Sequence, residues 1–180
     1  MGRKSILWRD ARGVGLERLV LDASKRAVVA DAVVIAGRPE GFGCRYRVRC
    51  DPGWRFRSLV VEIVGGARLR LDRHDVDGWR HNGMPCPALD AAVEIDLQIT
   101  PFTNMLPIRR LGLGIGGSAE IVTAYVAFPS LDVAADGQRY TRLGPTTYRY
   151  ESLDSDFVRD IEVDEDGLVL QYPGLFERIR

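Results

Sequence analysis

The residues best suited to chemistry lie in one stretch that interrupts an otherwise regular pattern. It runs from residue 96 to residue 120 and reads DLQITPFTNMLPIRRLGLGIGGSAE. Thr103 and Asn104 offer groups that bond nearby main chain, and Arg109 and Arg110 carry guanidinium forks that match carboxylates and phosphates. Apolar side chains surround them, namely Phe102, Met105, Leu106 and Ile108. The composition fits a ligand-facing wall, and it fits equally a buried crossover whose arginines pair with carboxylates of the fold.

Two prolines shape the same stretch. Pro101 and Pro107 lack an amide hydrogen, and each disfavours helix in the residue before it. We therefore expect residues 100–107 to form an ordered, non-helical excursion of the backbone.

A second group with chemical potential is a set of arginines on neighbouring predicted strands. They are Arg45, Arg47, Arg49, Arg55, Arg57, Arg68 and Arg70. On one face of a hairpin they would suit phosphates or a carboxylated head group. A solvated strand face balanced by Glu62, Asp72 and Glu94 has the same pattern, and we favour that interpretation.

The histidines and cysteines do not have the spacing of a metal site. His74 and His81 lie among aspartates in a segment typical of turns, without H-x-x-x-H or H-E-x-x-H. Cys44, Cys50 and Cys86 are an odd set, which we interpret as reduced thiols. With no G-x-S-x-G elbow and no phosphate-binding loop either, we predict no catalytic residue, no metal and no cofactor.

Aromatic residues supply the remaining candidates. Tryptophan and tyrosine combine an apolar face with one polar group, which suits a sugar ring or the head of an amphiphile. We expect most of them in the core and two or three in a cavity wall. Trp79 is the first of these, because it follows a glycine and lies among polar residues, and Tyr140 and Tyr148 are further candidates.

The elements that must position these residues are nearly all strands. Residues 42–50 alternate apolar and basic side chains, and Asp51-Pro52-Gly53 is a turn signal, so residues 42–64 are predicted to form a hairpin. Asn82-Gly83 predicts a type I′ turn, and Asp136-Gly137 is interpreted as another turn. Only residues 87–92 and 153–159 have room for helix. We predict an all-β fold, a strongly curved antiparallel sheet of about a dozen strands forming a partly open barrel or sandwich, with at most two short helices.

Composition narrows the function classes. The chain has 180 residues, enough for one domain with a full core, and we predict a single domain over residues 1–180. The 25 basic and 25 acidic residues cancel, which disfavours nucleic acid as a partner. Residues 1–20 contain neither a signal peptide nor a membrane span, so a cytoplasmic location is expected.

Several segments resemble one known family. They are DLQITPFTNMLPIRRLGL at residues 96–113, FPSLDV at 128–133, QRYTRL at 138–143, YRYES at 148–152 and DEDGLVLQYPGLFERI at 164–179, with GWRHNG at 78–83. The chain is thereby similar, over roughly residues 5–180, to the Putative glycolipid-binding proteins, a bacterial family of unknown function. The resemblance implies an all-β, partly open barrel shaped like bacterial lipoprotein carriers, with a cavity suggested to hold a glycolipid.

Three functions follow as hypotheses. The first is a non-enzymatic binding protein for an amphiphile or glycolipid. Its predicted ligand-binding residues are Trp79, Phe102, Thr103, Asn104, Met105, Arg109, Arg110, Tyr140 and Tyr148. The second is a structural or interaction domain without a ligand, in which the two arginines pair with carboxylates and no sizeable cavity exists. The third is an enzyme acting on a small sugar or nucleotide derivative, with Asp96 or Asp72 as base and His81 as acid. Oligomeric state is left open.

Overall fold

Alternating apolar and polar residues build one continuous curved sheet. In the computed structural model, which describes residues 2–11, 13–37 and 41–179, the sheet has 15 strands. They are β1 (Arg3–Asp10), β2 (Leu16–Ala23), β3 (Val28–Ala36), β4 (Phe42–Cys50), β5 (Phe56–Ile63), β6 (Arg68–His74), β7 (Gly78–His81), β8 (Met84–Pro85), β9 (Glu94–Leu97), β10 (Ser118–Val126), β11 (Val133–Arg142), β12 (Thr147–Ser152), β13 (Val158–Val163), β14 (Val169–Tyr172) and β15 (Phe176–Arg178).

The order of the strands explains the curvature. From edge to edge it is β8-β7-β6-β5-β4-β3-β2-β1-β15-β14-β13-β12-β11-β10-β9, so β1 joins the first and last parts of the chain through its pairing with β15. All neighbours are antiparallel except β9 and β10. Because so long a twisted sheet must curl to bury its apolar face, it wraps around a core without closing, and the predicted all-β, partly open architecture is confirmed.

The hairpin of β4 and β5 shows how the pattern sets the inner face. Cys44, Tyr46, Val48 and Cys50 are at most 1% exposed, whereas the arginines between them point outward. The two strands pair antiparallel, as predicted for residues 42–64. The Asn82-Gly83 turn also forms as predicted, with positive φ at both residues, which a type I′ turn requires.

The expectation of a non-helical backbone at residues 100–107 is wrong. A 3₁₀ turn (Phe102–Asn104) leads directly into the only α-helix of the described chain, α1 (Met105–Leu111). Pro107 is the third residue of α1, where an amide hydrogen has no acceptor within the helix, so its missing donor costs little. Gly112 ends the helix in the left-handed conformation, with φ of 54°.

The two segments predicted to have room for helix differ in outcome. Residues 87–92 contain a single 3₁₀ turn (Pro87–Leu89). Residues 153–159 form bends and the start of β13 instead.

The interpretation of Asp136-Gly137 as a turn is also wrong, because both residues lie inside β11. Gly137 pairs with Val122 of β10. A Cβ at Gly137 would lie 3.2 Å from the Cβ of Leu153, so the glycine permits a close approach rather than a reversal of the chain. Asp136 is thereby held on a rigid strand.

The core consists of two clusters that meet at α1. Met105 and Leu106 belong to the larger cluster, which fills the concave side of the first strands, and Ile108 belongs to the second cluster under β10 to β14. The helix therefore fills the inside of the curved sheet. No helix in the described ranges is long and apolar enough to cross a membrane.

Candidate functional site

One end of the curved sheet encloses a cavity of about 680 Å³. Its floor is formed by buried residues, namely Trp8, Glu17, Leu97, Thr100 and Asn104, and its rim by exposed ones, namely Leu16, Ile35, Gln98, Asp154 and Ser155. The floor thus combines the first two strands with the segment that follows β9. The hypothesis of a structural domain predicts no sizeable cavity, and a cavity of this volume counts against that part of it.

The TPFTN motif, residues 100–104, positions the polar groups of this cavity. The Thr100 hydroxyl donates to Glu17 Oε1 at 2.9 Å, and the Thr103 hydroxyl donates to Asp96 Oδ1 at 2.9 Å. Asn104 Nδ2 donates to the Tyr140 hydroxyl at 2.8 Å. Three of the five residues therefore hold groups at or behind the cavity wall, which accounts for a polar motif inside an apolar segment.

Glu17 is the acid of the floor. Its side chain lies on β2 and the residue is 2% exposed. Burial raises the pKa of Glu17 from 4.5 to about 7, although hydrogen bonds from Tyr46 and Thr100 to Oε1 oppose that shift. Oε2 has no hydrogen-bond partner among the described residues. A buried carboxyl oxygen without a partner costs free energy, so this atom needs an explanation.

A second pair of acids lies on β9 and β11. Gln138 Nε2 donates to Asp96 Oδ2 at 2.7 Å and to Asp136 Oδ2 at 2.9 Å, so one amide nitrogen lies between two carboxylates. Burial raises the pKa of Asp96, and the charge of Asp136 raises it further. Burial and the charge of Asp154 likewise raise the pKa of Asp136. The three aspartates thus share a region of uncompensated negative charge.

Aromatic rings form another part of the wall. Tyr150 contacts Phe157 edge to face with ring centroids 5.8 Å apart, and Tyr172 contacts Phe176 at 6.4 Å. All four line the cavity. Phe42 and Phe128 stack at 6.2 Å on another side. The wall therefore offers ring faces and apolar edges as well as carboxylates, and Tyr150 and Tyr172 lie close enough to Asp96 for its charge to raise their pKa values.

Three of the residues predicted to bind a ligand lie at this site. Asn104 lines the cavity directly. Thr103 stands behind Asp96, and Tyr140 stands behind Asn104.

The other predicted aromatic and apolar residues lie deeper in the fold. Trp79 is 1% exposed, stacks on Phe56 at 5.1 Å and donates its indole hydrogen to the Ala92 carbonyl. Phe102 and Met105 are fully buried in the larger cluster. Tyr148 belongs to the second cluster, with the Arg142 guanidinium 5.6 Å from the centre of its ring.

Arg109 and Arg110 pair with groups of the fold, away from the cavity lining. Arg109 lies over the Trp54 ring at 4.3 Å and donates to the Asp166 carbonyl at 2.9 Å. Arg110 forms an ion pair with Glu94, whose side chain is 2% exposed. Glu94 keeps a raised pKa because its burial outweighs the effect of Arg110.

The other sequence candidates lie on the outer surface. The Arg45 and Arg70 guanidinium groups bind Asp31 and Asp72 at 2.7 Å, consistent with a balanced, solvated strand face. Neither histidine lines the cavity. Within residues 2–11, 13–37 and 41–179, no three His, Cys, Asp or Glu residues lie close enough together to hold a metal ion.

Sequence reasoning missed Glu17, Asp136 and Gln138. Glu17 shares the period-two face of Leu19 and Leu21, and Gln138 shares that of Tyr140, so a polar residue at a buried register position is the sign that the sequence offers for both. Asp136 carries no such sign, because the sequence predicts a turn at its position. Its place in the cavity wall depends on the curvature of the whole sheet.

A solved structure resembles this chain closely. It is the crystal structure of a DUF1089 family protein from Pseudomonas aeruginosa, with a TM-score of 0.80 and 36% sequence identity over 93% of each chain. Among curated proteins, none matches this chain. A family model described as "Putative glycolipid-binding" matches residues 5–178, nearly the whole sequence. The chain therefore belongs to the family that carries the description "Putative glycolipid-binding".

Proposed function

We propose that this protein binds an amphiphile of the glycolipid type, without catalysing a reaction. The ligand would occupy the cavity whose floor includes residues of the TPFTN motif. The observation that carries the proposal is the cavity itself, which has a volume of about 680 Å³. Small-molecule sites commonly enclose about 300–1,000 Å³. Because the sheet is continuous from β8 to β9, we treat residues 1–180 as one functional unit.

The aromatic and the polar residues of the cavity suit the two parts of an amphiphile. Tyr150, Phe157, Tyr172 and Phe176 supply rings against which a hydrocarbon chain or the apolar face of a sugar packs. Burial of an octyl chain would contribute about 6 kcal/mol, at roughly 0.8 kcal/mol per methylene. The cost of association is of similar size, so contacts of the head group must contribute as well.

The polar side suits hydroxyl groups. Carboxylates accept hydrogen bonds, and the Asn104 and Gln98 amides both donate and accept them. Asn104 is the one predicted site residue that we propose to contact the head directly. Thr103 and Tyr140 would act by holding Asp96 and Asn104 in place.

Isothermal titration with octyl glucoside below its micelle-forming concentration tests the proposal. We expect saturable binding of octyl glucoside, and much weaker binding of glucose, which lacks the chain. Ser155→Trp places a large ring at the exposed rim of the cavity and should abolish binding. The matched control is Asp156→Trp, because Asp156 is the exposed next residue and does not line the cavity.

Equal binding by the two tryptophan variants would show that the octyl chain binds elsewhere. Absence of binding to octyl glucoside and to longer alkyl glucosides would refute the proposed function.

A further inference from the structure

The charge of the cavity lining is one-sided. Five acidic residues line it, namely Asp10, Glu17, Asp96, Asp136 and Asp154, and the described lining contains no lysine, arginine or histidine. The whole chain has equal numbers of basic and acidic residues, so the bias does not reflect composition. Basic residues are instead concentrated on outer faces, where they pair with other carboxylates.

Three carboxylates of the cavity also lack cationic partners among the described residues. Glu17, Asp96 and Asp136 form no ion pair with any described residue, and their polar contacts are hydroxyl and amide groups. Elsewhere a buried acid has a cationic partner, since Glu94 pairs with Arg110, although Glu94 Oε2 also has no hydrogen-bond partner among the described residues. Buried charge is costly unless paired, so burial favours the protonated forms of these acids, and a bound cation would stabilise their ionised forms.

Glu17 supplies a separate observation that points to a ligand. Its Oε1 already accepts from Tyr46 and Thr100, whereas its Oε2 is buried and has no partner in the described chain. The residue is 2% exposed and forms part of the cavity floor. An ammonium group donates three hydrogen bonds and accepts none, so it satisfies such an oxygen without leaving an unused acceptor.

We propose that the head of the bound amphiphile carries a protonated amine, which binds the cavity carboxylates with Glu17 Oε2 as its buried acceptor. The proposal rests on the function proposed above and narrows its ligand class. An organic cation fits better than a metal ion, because no metal-binding group of three ligands exists among the described residues. Phosphate, sulfate and carboxylate heads would be repelled by the same acids.

Matched octyl ligands test the charge of the head. Octyl glucosaminide differs from octyl glucoside by an amino group in place of one hydroxyl. At neutral pH we expect it to bind about 10- to 100-fold more tightly, the ratio given by one charge-assisted hydrogen bond. The ratio should fall in high salt, and octyl sulfate should bind more weakly than either sugar.

Octylamine separates two sources of the amine. Binding as tight as that of the glucosaminide identifies an amine-bearing lipid, and weaker binding identifies an amino sugar; both agree with the proposal.

Variants of cavity residues test whether the preference for the amine arises in the cavity. Glu17→Gln and Asp136→Asn should each reduce the glucosaminide-to-glucoside ratio several-fold, with folding checked by circular dichroism. The matched control is Glu62→Gln, which removes the same charge from an exposed outer residue paired with Arg68, and it should leave the ratio unchanged.

The outcomes are distinguishable. Equal affinities for the two sugars, or tighter binding of octyl sulfate, would overturn the amine proposal and leave the proposed function standing. Absence of binding to every octyl ligand would overturn both.

Discussion

Glu17→Gln should stabilise the protein above neutral pH. Glu17 is buried, and its pKa is raised from 4.5 to about 7, so the folded state binds its proton more tightly than the unfolded chain does. Between these two values the folded state holds more protons, and the free energy of unfolding of the wild type therefore decreases as pH rises. Glutamine cannot ionise, so the variant loses this decrease.

The magnitude follows from the size of the shift. Each pKa unit corresponds to about 1.4 kcal/mol, so an ionised Glu17 costs the wild type about 3 kcal/mol above pH 7. The glutamine oxygen can still accept from Tyr46 and Thr100. Its amide group takes the position of the unpartnered oxygen, as the hydroxyl of the protonated acid does. The two proteins should therefore have similar stability at low pH and diverge as pH rises.

Urea unfolding of both proteins measures the divergence. Relative to wild type, the variant should gain roughly 2–3 kcal/mol between about pH 5 and about pH 8. Other titrating acids, including Asp96 and Asp136, are present in both proteins and largely cancel in the difference. Glu62→Gln controls for net charge and should change stability by less than about 1 kcal/mol. If the difference in free energy of unfolding between the wild type and the variant does not change with pH, the assignment of a raised pKa to Glu17 is refuted.

Three further predictions concern the TPFTN motif and the arginines that follow it. Thr103→Val removes the donor to Asp96 Oδ1 and should lower stability by about 1–3 kcal/mol in urea unfolding, and Thr103→Ser should restore most of it. Arg110→Ala leaves Glu94 buried without its cation and should lower the free energy of unfolding by about 3–5 kcal/mol. The double variant Glu94→Gln with Arg110→Met should lose clearly less stability, and equal losses would contradict an ion pair with a buried carboxylate. Arg109→Ala removes the cation over the Trp54 ring, so it should change tryptophan fluorescence and lower stability by about 1 kcal/mol or less. The affinity for octyl glucoside should stay unchanged, because Arg109 lies outside the cavity lining.

Local patterns predicted the strands well because a strand with one buried face repeats every two residues. The buried Cys44, Tyr46, Val48 and Cys50 of β4 are an example, and the Asn82-Gly83 turn is another, since few residues adopt positive φ readily. The same local reasoning failed at Pro107, because a proline in the first turn of a helix has no hydrogen bond to lose. It failed again at Gly137, where the glycine allows close packing of Leu153.

The site was only partly predictable for a physical reason. The TPFTN motif was recognised as chemically unusual from its residue types, and Asn104 does line the cavity. For Arg109 and Arg110 we predicted contact with a ligand. In the structure Arg109 contacts Asp166 and Arg110 contacts Glu94. Both of those partners lie on other segments, which a local pattern does not specify.

The sequence by itself determined the alternation of strands and turns, the family, and the polar motif that follows β9. Tertiary structure alone decided which acids meet. Glu17, Asp96 and Asp136 come from β2, β9 and β11, and they line one cavity because the pairing of β1 with β15 curves the sheet into a single wall. Their charge and their perturbed pKa values arise from that shared enclosure, which removes them from water and holds them away from the arginines of the outer surface.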